Sequence, residues 1–280
     1  MAAIQKEVAQ HKNKRKQATI ATSIDRYEVY EAAVQNVEEQ CGFIDHTFKA
    51  ISNRKARSFR EDFCGTASAS CEWVRLGRKN IAIGVDIDPE VLDWGRDHRL
   101  SKLREKQKQR VKLICGDVLE LHDEPVDVVG AFNFSYWIFD TRAALRRYFE
   151  TVHGNLNPDG VFFLDAFGGY DAFRELGEKM KFDGFTYIWD QARYSPVTGR
   201  METHIHFKFP DKSVMKKAFS YNWRLWTLPE IREVLMEAGF RKPTVYFEHR
   251  DEYGEGLGEW YSDSKGTADS AWVANITAEK

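Results

Sequence analysis

The stretch Ser58–Arg96, SFREDFCGTASASCEWVRLGRKNIAIGVDIDPEVLDWGR, decides the reading of this chain. It predicts a strand, a tight turn of small residues, a helix, a second strand, and an acid at that strand's end. A turn of small residues lets a ligand approach the backbone. A carboxylate roughly 20 residues further on can take the two hydroxyls of a ribose. The segment therefore predicts an adenosine-containing cofactor. The run CGTASAS lacks GxGxxG and the glycines that a pyrophosphate wants at a helix N-terminus, which argues against a dinucleotide.

Outward from this stretch, strand and helix patterns alternate. Strands are predicted at Ser58–Phe63, Ile81–Asp86, Val111–Cys115, Val126–Phe132 and Val161–Phe167. Helices fall between them at Ala67–Leu76, Pro89–Gln107 and Arg142–Asn155, with a short element near Val118–Leu121. The sequence LNPDG at 156–160 reads as a turn before the fifth strand. Repeated strand–helix–strand units imply an α/β fold, a parallel sheet with helices on both faces. Beyond Phe167 the period drops to two. Residues 185–193, 199–209 and 215–225, separated by SPVTG and PDK, predict a three-stranded antiparallel insertion. A helix at Leu228–Ala238, closed by Gly239, and strands at Pro243–His249 and Ala271–Ala278 end the chain. A long glycine-rich loop with Trp260 and Tyr261 joins those two strands.

Before the first strand, residues 24–52 show helical periodicity, with Asp25 as N-cap and Glu28 at capping-box spacing. Such helices would cap the edge of the sheet. Residues 1–22 are polar, with a basic run at Lys12–Lys16, and predict a flexible tail. The domain reading is a tail at 1–22, a helical cap at 23–57 and one α/β domain at 58–280, with the insertion at 183–226.

At 280 residues the chain can bury a full core. Its net charge of -2 leaves no basic footprint, so nucleic acid is not expected as a partner. No apolar run is long enough to span a membrane, and the N-terminus shows no apolar signal segment. Cys41, Cys64, Cys71 and Cys115 form no CxxC pair and no zinc spacing, so no metal site is predicted. Cys64, Cys71 and Cys115 sit in apolar-looking elements and read as buried, reduced thiols of a cytoplasmic protein. Aromatics make up 14%, enough to line a pocket for a flat or cationic ligand besides filling a core.

From about Ser58 to the C-terminus the ordered motifs resemble a class I S-adenosylmethionine (SAM)-dependent methyltransferase. The resemblance implies a Rossmann-like, mostly parallel seven-stranded sheet whose last strand is antiparallel, and SAM as the cofactor. The family's first motif, acid-x-Gly-x-Gly-x-Gly, aligns with Glu61-Asp62-Phe63-Cys64-Gly65-Thr66-Ala67. Glu61 stands at the acid and Gly65 at the central glycine, while Phe63 and Ala67 replace the outer two. The resemblance gives Cys64, Gly65 and Thr66 to the cofactor's turn, Glu61 to its amino-acid end and Arg60 to its carboxylate. In GVDIDPEVLDWGR, Asp86 takes the ribose place, with Ile87 beside it. In CGDV at 115–118, Asp117 takes the place that meets the adenine amino group, followed by Val118. AFNFSYWIF at 131–139 sets Asn133 and Phe134 along the cofactor near its methyl group.

The expected acceptor site draws on Asn133, Tyr136 and Trp137, then on Asp165 at the end of the fifth strand. Asp165 is the first choice for a carboxylate that holds an amine or accepts a proton, with Tyr136 as a second catalytic candidate. Tyr27 and Tyr30 would close over cofactor or substrate. From the insertion come His204, on one strand face with Glu202 and His206, then Tyr221, Trp223 and Trp226. Plainer readings stand beside these: strand-end acids cap helices, and aromatic stripes pack cores. The chain has no DPPY or NPPY motif and no Pro-Cys nucleophile. The expected acceptor is therefore a small molecule offering nitrogen or oxygen. The alternatives are a protein or RNA methyltransferase, a non-catalytic SAM-fold interaction module, or a nicotinamide oxidoreductase. An exposed aromatic lid would support a homodimer.

Overall fold

The computed structural model describes residues 18–121, 124–252 and 256–280, and the basic run at 12–16 lies outside them. Three helices come first: α1 (Ile20–Ser23), α2 (Arg26–Val34) and α3 (Val37–Ser52). Strands and helices then alternate through β1 (Ser58–Asp62), α4 (Ser68–Leu76), β2 (Ile81–Asp86), α5 (Pro89–His98) and α6 (Glu105–Lys108). β3 (Val111–Cys115), β4 (Val126–Ala131), α7 (Arg142–Gly154) and β5 (Leu156–Gly168) continue the pattern. The insertion supplies β6 (Leu176–Phe182), β7 (Phe185–Tyr194), β8 (Arg200–Lys208) and β9 (Val214–Arg224). α8 (Leu228–Glu237), β10 (Arg241–Arg250), β11 (Gly256–Ser262) and β12 (Trp272–Glu279) complete the chain.

The main sheet runs in the order β11-β10-β12-β5-β4-β1-β2-β3. β1 to β5 pair in parallel, and β12 runs antiparallel between β5 and β10. All seven expected strands form, with the last one antiparallel. β11 adds an eighth, paired antiparallel to β10 at the outer edge. β5 and β4 are apolar on both faces, as a sandwiched parallel strand must be. Phe163, Val161 and Val128 pack on one face with Ile44 and Phe48 of α3 and Trp73 of α4. Phe162, Leu164 and Val129 pack on the other with Phe149 of α7 and Leu235 of α8. Burying each such side chain is worth roughly 1.5–3 kcal/mol, which holds β4 and β5 between the two helical layers.

Several boundaries differ from the sequence expectation. α5 stops at His98 instead of running to Gln107, followed by a one-turn 3-10 helix at Leu100–Lys102 and the short α6. Leu100 and Leu103 still pack on the core, but the run REKQKQ beyond them is polar and has no apolar stripe to hold it as one long helix. LNPDG does not end the pairing: Leu156 pairs with Val126, and register resumes at Val161 with Val128. The four residues between bulge out, which suits Pro158 because it has no N–H to donate. The insertion is a four-stranded sheet, β6-β7-β8-β9, because β6 joins as an edge strand.

The two longer N-terminal helices do different work. α3 belongs to the main core. α2 leaves it and packs through Val29 and Tyr30 on Tyr187, Ile205 and Phe219 of the insertion. Asp25 caps α2 as expected by accepting from Tyr27 N at 2.7 Å. Cys41, Cys64 and Cys71 are buried free thiols, but Cys115 is exposed, because it ends the outer strand β3. Among the described residues no helix is long and apolar enough to cross a membrane.

Candidate cofactor and acceptor site

The strand order reverses at β1, whose neighbours are β2 and β4. Open α/β sheets bind ligands at such a switch point, outside the carboxyl ends of the strands. A cavity of about 580 Å³ lies there, within the usual range for small-molecule sites. Strand-end loops supply Glu61, Gly65, Asp86 and Asn133. α2 and its C-cap supply Tyr27, Tyr30 and Gln35, and β9 supplies Phe219, Tyr221 and Trp223.

The loop after β1 has an unusual backbone. Phe63, Gly65 and Ala67 have φ of 58°, 52° and 59°. These are the three positions at which the first motif of the resembled family has glycine. The chain keeps the left-handed course there with two side chains that resist it, at roughly 1–2 kcal/mol each. The loop is fastened by Cys64 N to Val85 O at 2.9 Å and Ala67 N to Cys64 O at 2.8 Å. Gly65 N donates to Asp86 Oδ2 at 2.8 Å. A Cβ on Gly65 would meet no atom within 4 Å, so the space before it is open. A Cβ on Gly95 would lie 2.5 Å from the Thr66 carbonyl oxygen, so glycine lets α5 press against the loop.

Three polar groups give this wall its chemistry. Asp86 accepts from Gly65 N and, at 3.0 Å, from Asp88 N. Burial pushes its carboxyl above the ordinary range, against the lowering effect of those backbone bonds. Each carboxylate oxygen has capacity for a further donor. Glu61 accepts the Ser70 hydroxyl at 2.6 Å and Ser70 N at 2.9 Å. Burial, reinforced by Asp86 and Asp62, pushes its carboxyl up to about 7. Gln35 Oε1 is buried without a hydrogen-bond partner. A buried acceptor with no donor carries a desolvation cost that a ligand N–H or O–H would relieve. This set of acceptors and the open space at Gly65 fit the ribose hydroxyls and ammonium of SAM. Ile87 is 71% exposed beside Asp86, an apolar surface for a flat base.

Of the expected site residues, Glu61, Cys64, Gly65, Thr66, Asp86, Ile87, Asn133, Tyr27, Tyr30 and Trp223 all line this cavity. Tyr27 packs on Trp94 and Phe219, and Tyr30 on Phe219 at 4.6 Å between centroids. Burial raises the Tyr30 phenol to about 12, with the Tyr221 hydroxyl as a hydrogen-bond partner. Tyr221 stacks on Trp223 at 4.4 Å.

Other expectations are corrected. Arg60 is buried and does not reach the cavity; its guanidinium pairs with Asp62 at 2.8 Å on the same strand face, and Tyr148 donates to Asp62 at 2.9 Å. Asp165 gives both oxygens to the backbone, accepting from Asn133 N at 2.7 Å and Phe134 N at 2.8 Å. Neither it nor Tyr136 lines the cavity. The Tyr136 hydroxyl is spent on the Asp165 carbonyl at 2.8 Å in the core. Trp137 and Phe134 pack against Phe167 and Trp223 behind the cavity wall. Asp117 is exposed and caps its own turn by accepting from Leu119 N at 2.9 Å, and Val118 is a core residue. His204 is buried outside the cavity, with its ring nitrogens on Ser220 and Glu202. It pairs with Ser220 across the strands, so it lies on the face away from Tyr221 and Trp223.

Three contributors carry no sequence signal of their own. Gln35 follows a helix end, Phe219 sits in an alternating strand, and Glu31 lies in an ordinary helix. Only the packing of α2 across the site brings them together.

A Rossmann-like sheet with this strand order and a ligand cavity at its switch point defines the structural class. Residues 62–164 match the methyltransferase domain family. No curated protein matches the chain. Among solved structures, a SAM-dependent methyltransferase from Clostridium acetobutylicum aligns with a TM-score of 0.66 at 16% identity, covering 90% of this chain and 96% of that one. SAM-bound CalS10, an amino pentose methyltransferase from Micromonospora echinaspora, aligns with 0.62 at 18%, covering 91% and 97%. The CcbJ methyltransferase from Streptomyces caelestis aligns with 0.64 at 15%, covering 88% and 90%. At these identities the structures speak to the fold. With the match of residues 62–164 to the methyltransferase domain family, this is a fold shared with SAM-dependent methyltransferases.

Proposed function

We propose that the chain methylates a nitrogen or oxygen of a small molecule held between α2 and β9. The observation that carries this is the single cavity wall that joins the Gly65–Asp86 clasp to Tyr30, Tyr221 and Trp223. The bound cofactor supplies an activated methyl group; the residues supply position and shielding. Asp86 takes the ribose, Glu61 and Gln35 Oε1 take the amino-acid end, and Gly65 lets the ligand lie against the backbone. Asn133 and the aromatic wall hold the acceptor's reacting atom near attack geometry. Tyr27 and Tyr30 cover the site and exclude water. The acids that line the cavity are Glu61, Asp62, Asp86 and Asp88. Glu61 and Asp86 serve the cofactor, Asp62 is paired with Arg60, and Asp88 caps α5 by accepting from Glu90 N at 2.9 Å, so this reading assigns no general base. It suits an acceptor that is unprotonated at working pH.

The enclosure favours a small acceptor over a protein or RNA strand, and the buried thiols suit a cytoplasmic setting. Among the structural neighbours is a sugar N-methyltransferase, which supports an amine-bearing small molecule. Calorimetric titration with S-adenosylhomocysteine, with NADH in parallel, tests the reading. Micromolar binding of the first alone is expected. Binding of NADH, or of neither, overturns it.

A further inference from the structure

α2 is fastened to its surroundings in three ways. At its start Asp25 accepts from Trp94 Nε1 of α5 at 2.7 Å. Ahead of it, Ile20 N and Ala21 N donate to Asp211 and Ser213 in the turn between β8 and β9, at 2.9 and 3.1 Å. In its middle, Glu31 Oε1 accepts from the Thr66 hydroxyl at 2.5 Å, the Ser68 hydroxyl at 2.6 Å and Arg99 Nε at 2.9 Å. Arg99 Nη2 closes on Oε2. One carboxylate thus joins the lid, the cofactor loop and the end of α5.

The loop needs such support. Two of its residues hold left-handed backbone without being glycine, and its N-cap residue Ala67 makes no side-chain cap. A strained turn persists only where its surroundings over-determine it. Glu31 does not line the cavity, whereas Thr66, Tyr27 and Tyr30 do. It therefore acts on the ligand through what it holds. The loop and α2 form parts of the same cavity wall, so their separation loosens the hold on a ligand seated between them.

We propose that Glu31 is a positioning residue that locks α2 to the cofactor loop and thereby sets how fast the cofactor leaves. This rests on the methyltransferase reading, with the cofactor seated at Gly65 and Asp86. The lock has a hydroxyl part, Thr66 and Ser68, and an ionic part, Arg99. Tyr30 rides on the same helix against Phe219, so the acceptor wall closes with the lid.

The test measures S-adenosylhomocysteine dissociation by surface plasmon resonance for the wild type, Glu31→Ala, Glu31→Gln and a control, Arg54→Ala. Arg54 pairs with Asp127 and Asp159 away from the cavity, so its loss lowers thermal stability alone. Glu31→Ala is expected to release the ligand about tenfold faster, with association changed far less. Glu31→Gln keeps an acceptor for Thr66 and Ser68 and recovers part of the effect. In the ligand-free protein, Glu31→Ala speeds hydrogen exchange of amides in 26–34 and 63–68 selectively. If Glu31→Ala does not fold, Ser68→Ala, with one hydroxyl removed, shows the same trend more weakly. Dissociation unchanged in the Glu31 variants, or equally fast in Arg54→Ala, overturns the proposal while leaving the methyltransferase reading intact. A wild type that does not bind S-adenosylhomocysteine overturns both.

Discussion

Two strand ends that flank the switch point solve one problem in opposite ways. After β1, the left-handed turn at 63–67 is clasped by Asp86 from β2. After β4, the left-handed turn at Asn133 and Phe134 is clasped by Asp165 from β5. Both acids are buried enough to raise their carboxyls, Asp165 to about 7. Asp86 gives the opposite turn one bond and faces the cavity. Asp165 gives its turn two and stays behind the wall. A strand-end acid is therefore ligand chemistry or scaffold according to where its oxygens go, and the residue type does not tell which.

Removing each acid sharpens this contrast. The largest effect is expected from Asp165→Ala, which leaves the N–H groups of Asn133 and Phe134 without a partner. Denaturant unfolding is expected to show about 2–5 kcal/mol of lost stability, from the desolvation cost of the two donors. Unchanged stability with lost methylation would return Asp165 to acceptor chemistry.

Glu61 tests the same contrast by pH. Its carboxyl rises from 4.5 to about 7 in the folded chain, mainly through burial. The folded state therefore binds the proton more tightly than the unfolded one. Stability from this group is fully present below pH 4.5 and is lost as pH rises through about 7. Over that window the loss is on the order of 3 kcal/mol. Glu61→Gln is expected to flatten that part of the unfolding profile, leaving the slope of the same sign that Asp165 contributes. A slope unchanged by the substitution would mean that Glu61 is ionised in the fold. A smaller effect, on binding, belongs to Asp86→Ala: a fall of roughly 1–3 kcal/mol in S-adenosylhomocysteine affinity for a lost charge-assisted contact. Calorimetry that finds unchanged affinity would sink the ribose assignment.

Of the cavity wall, the turn after β1 and Asp86 were legible in the sequence, and the part that α2 and β9 supply was legible only through Tyr27, Tyr30 and Trp223. Strands bounded by turns and filled with Val, Ile and Phe declare themselves, as does an acid at the end of IAIGVD. β6 did not, because LGEKMKF is an edge strand open to solvent along its length and carries no alternation. β11 hid behind glycines in GLGEWYS. Tyr136, Trp137 and His204 looked like site residues because aromatic and imidazole side chains serve pockets and cores alike. Only their burial and the direction of their hydrogen bonds separate the two. Arg60 was misplaced for a related reason: strand alternation puts it on the face of Asp62, opposite Glu61.

The least effect is expected where the loop departs most visibly from the glycine pattern. Ala67 is fully buried at φ 59°. Ala67→Gly relieves roughly 1–2 kcal/mol of left-handed strain. Against this stand a buried methyl group, about 0.8 kcal/mol, and the added freedom of glycine in the unfolded chain, about 0.4–1 kcal/mol. The terms nearly cancel, so thermal unfolding and S-adenosylhomocysteine affinity are both expected to stay close to wild type. Gly65→Ala runs the other way: its Cβ enters open cavity space at φ 52°, adding strain and obstructing the ligand. Affinity lost in Gly65→Ala and kept in Ala67→Gly would show that the ligand reads the central position of the loop, and that the outer positions only need the backbone course. Loss in both would place the ligand against Ala67 as well.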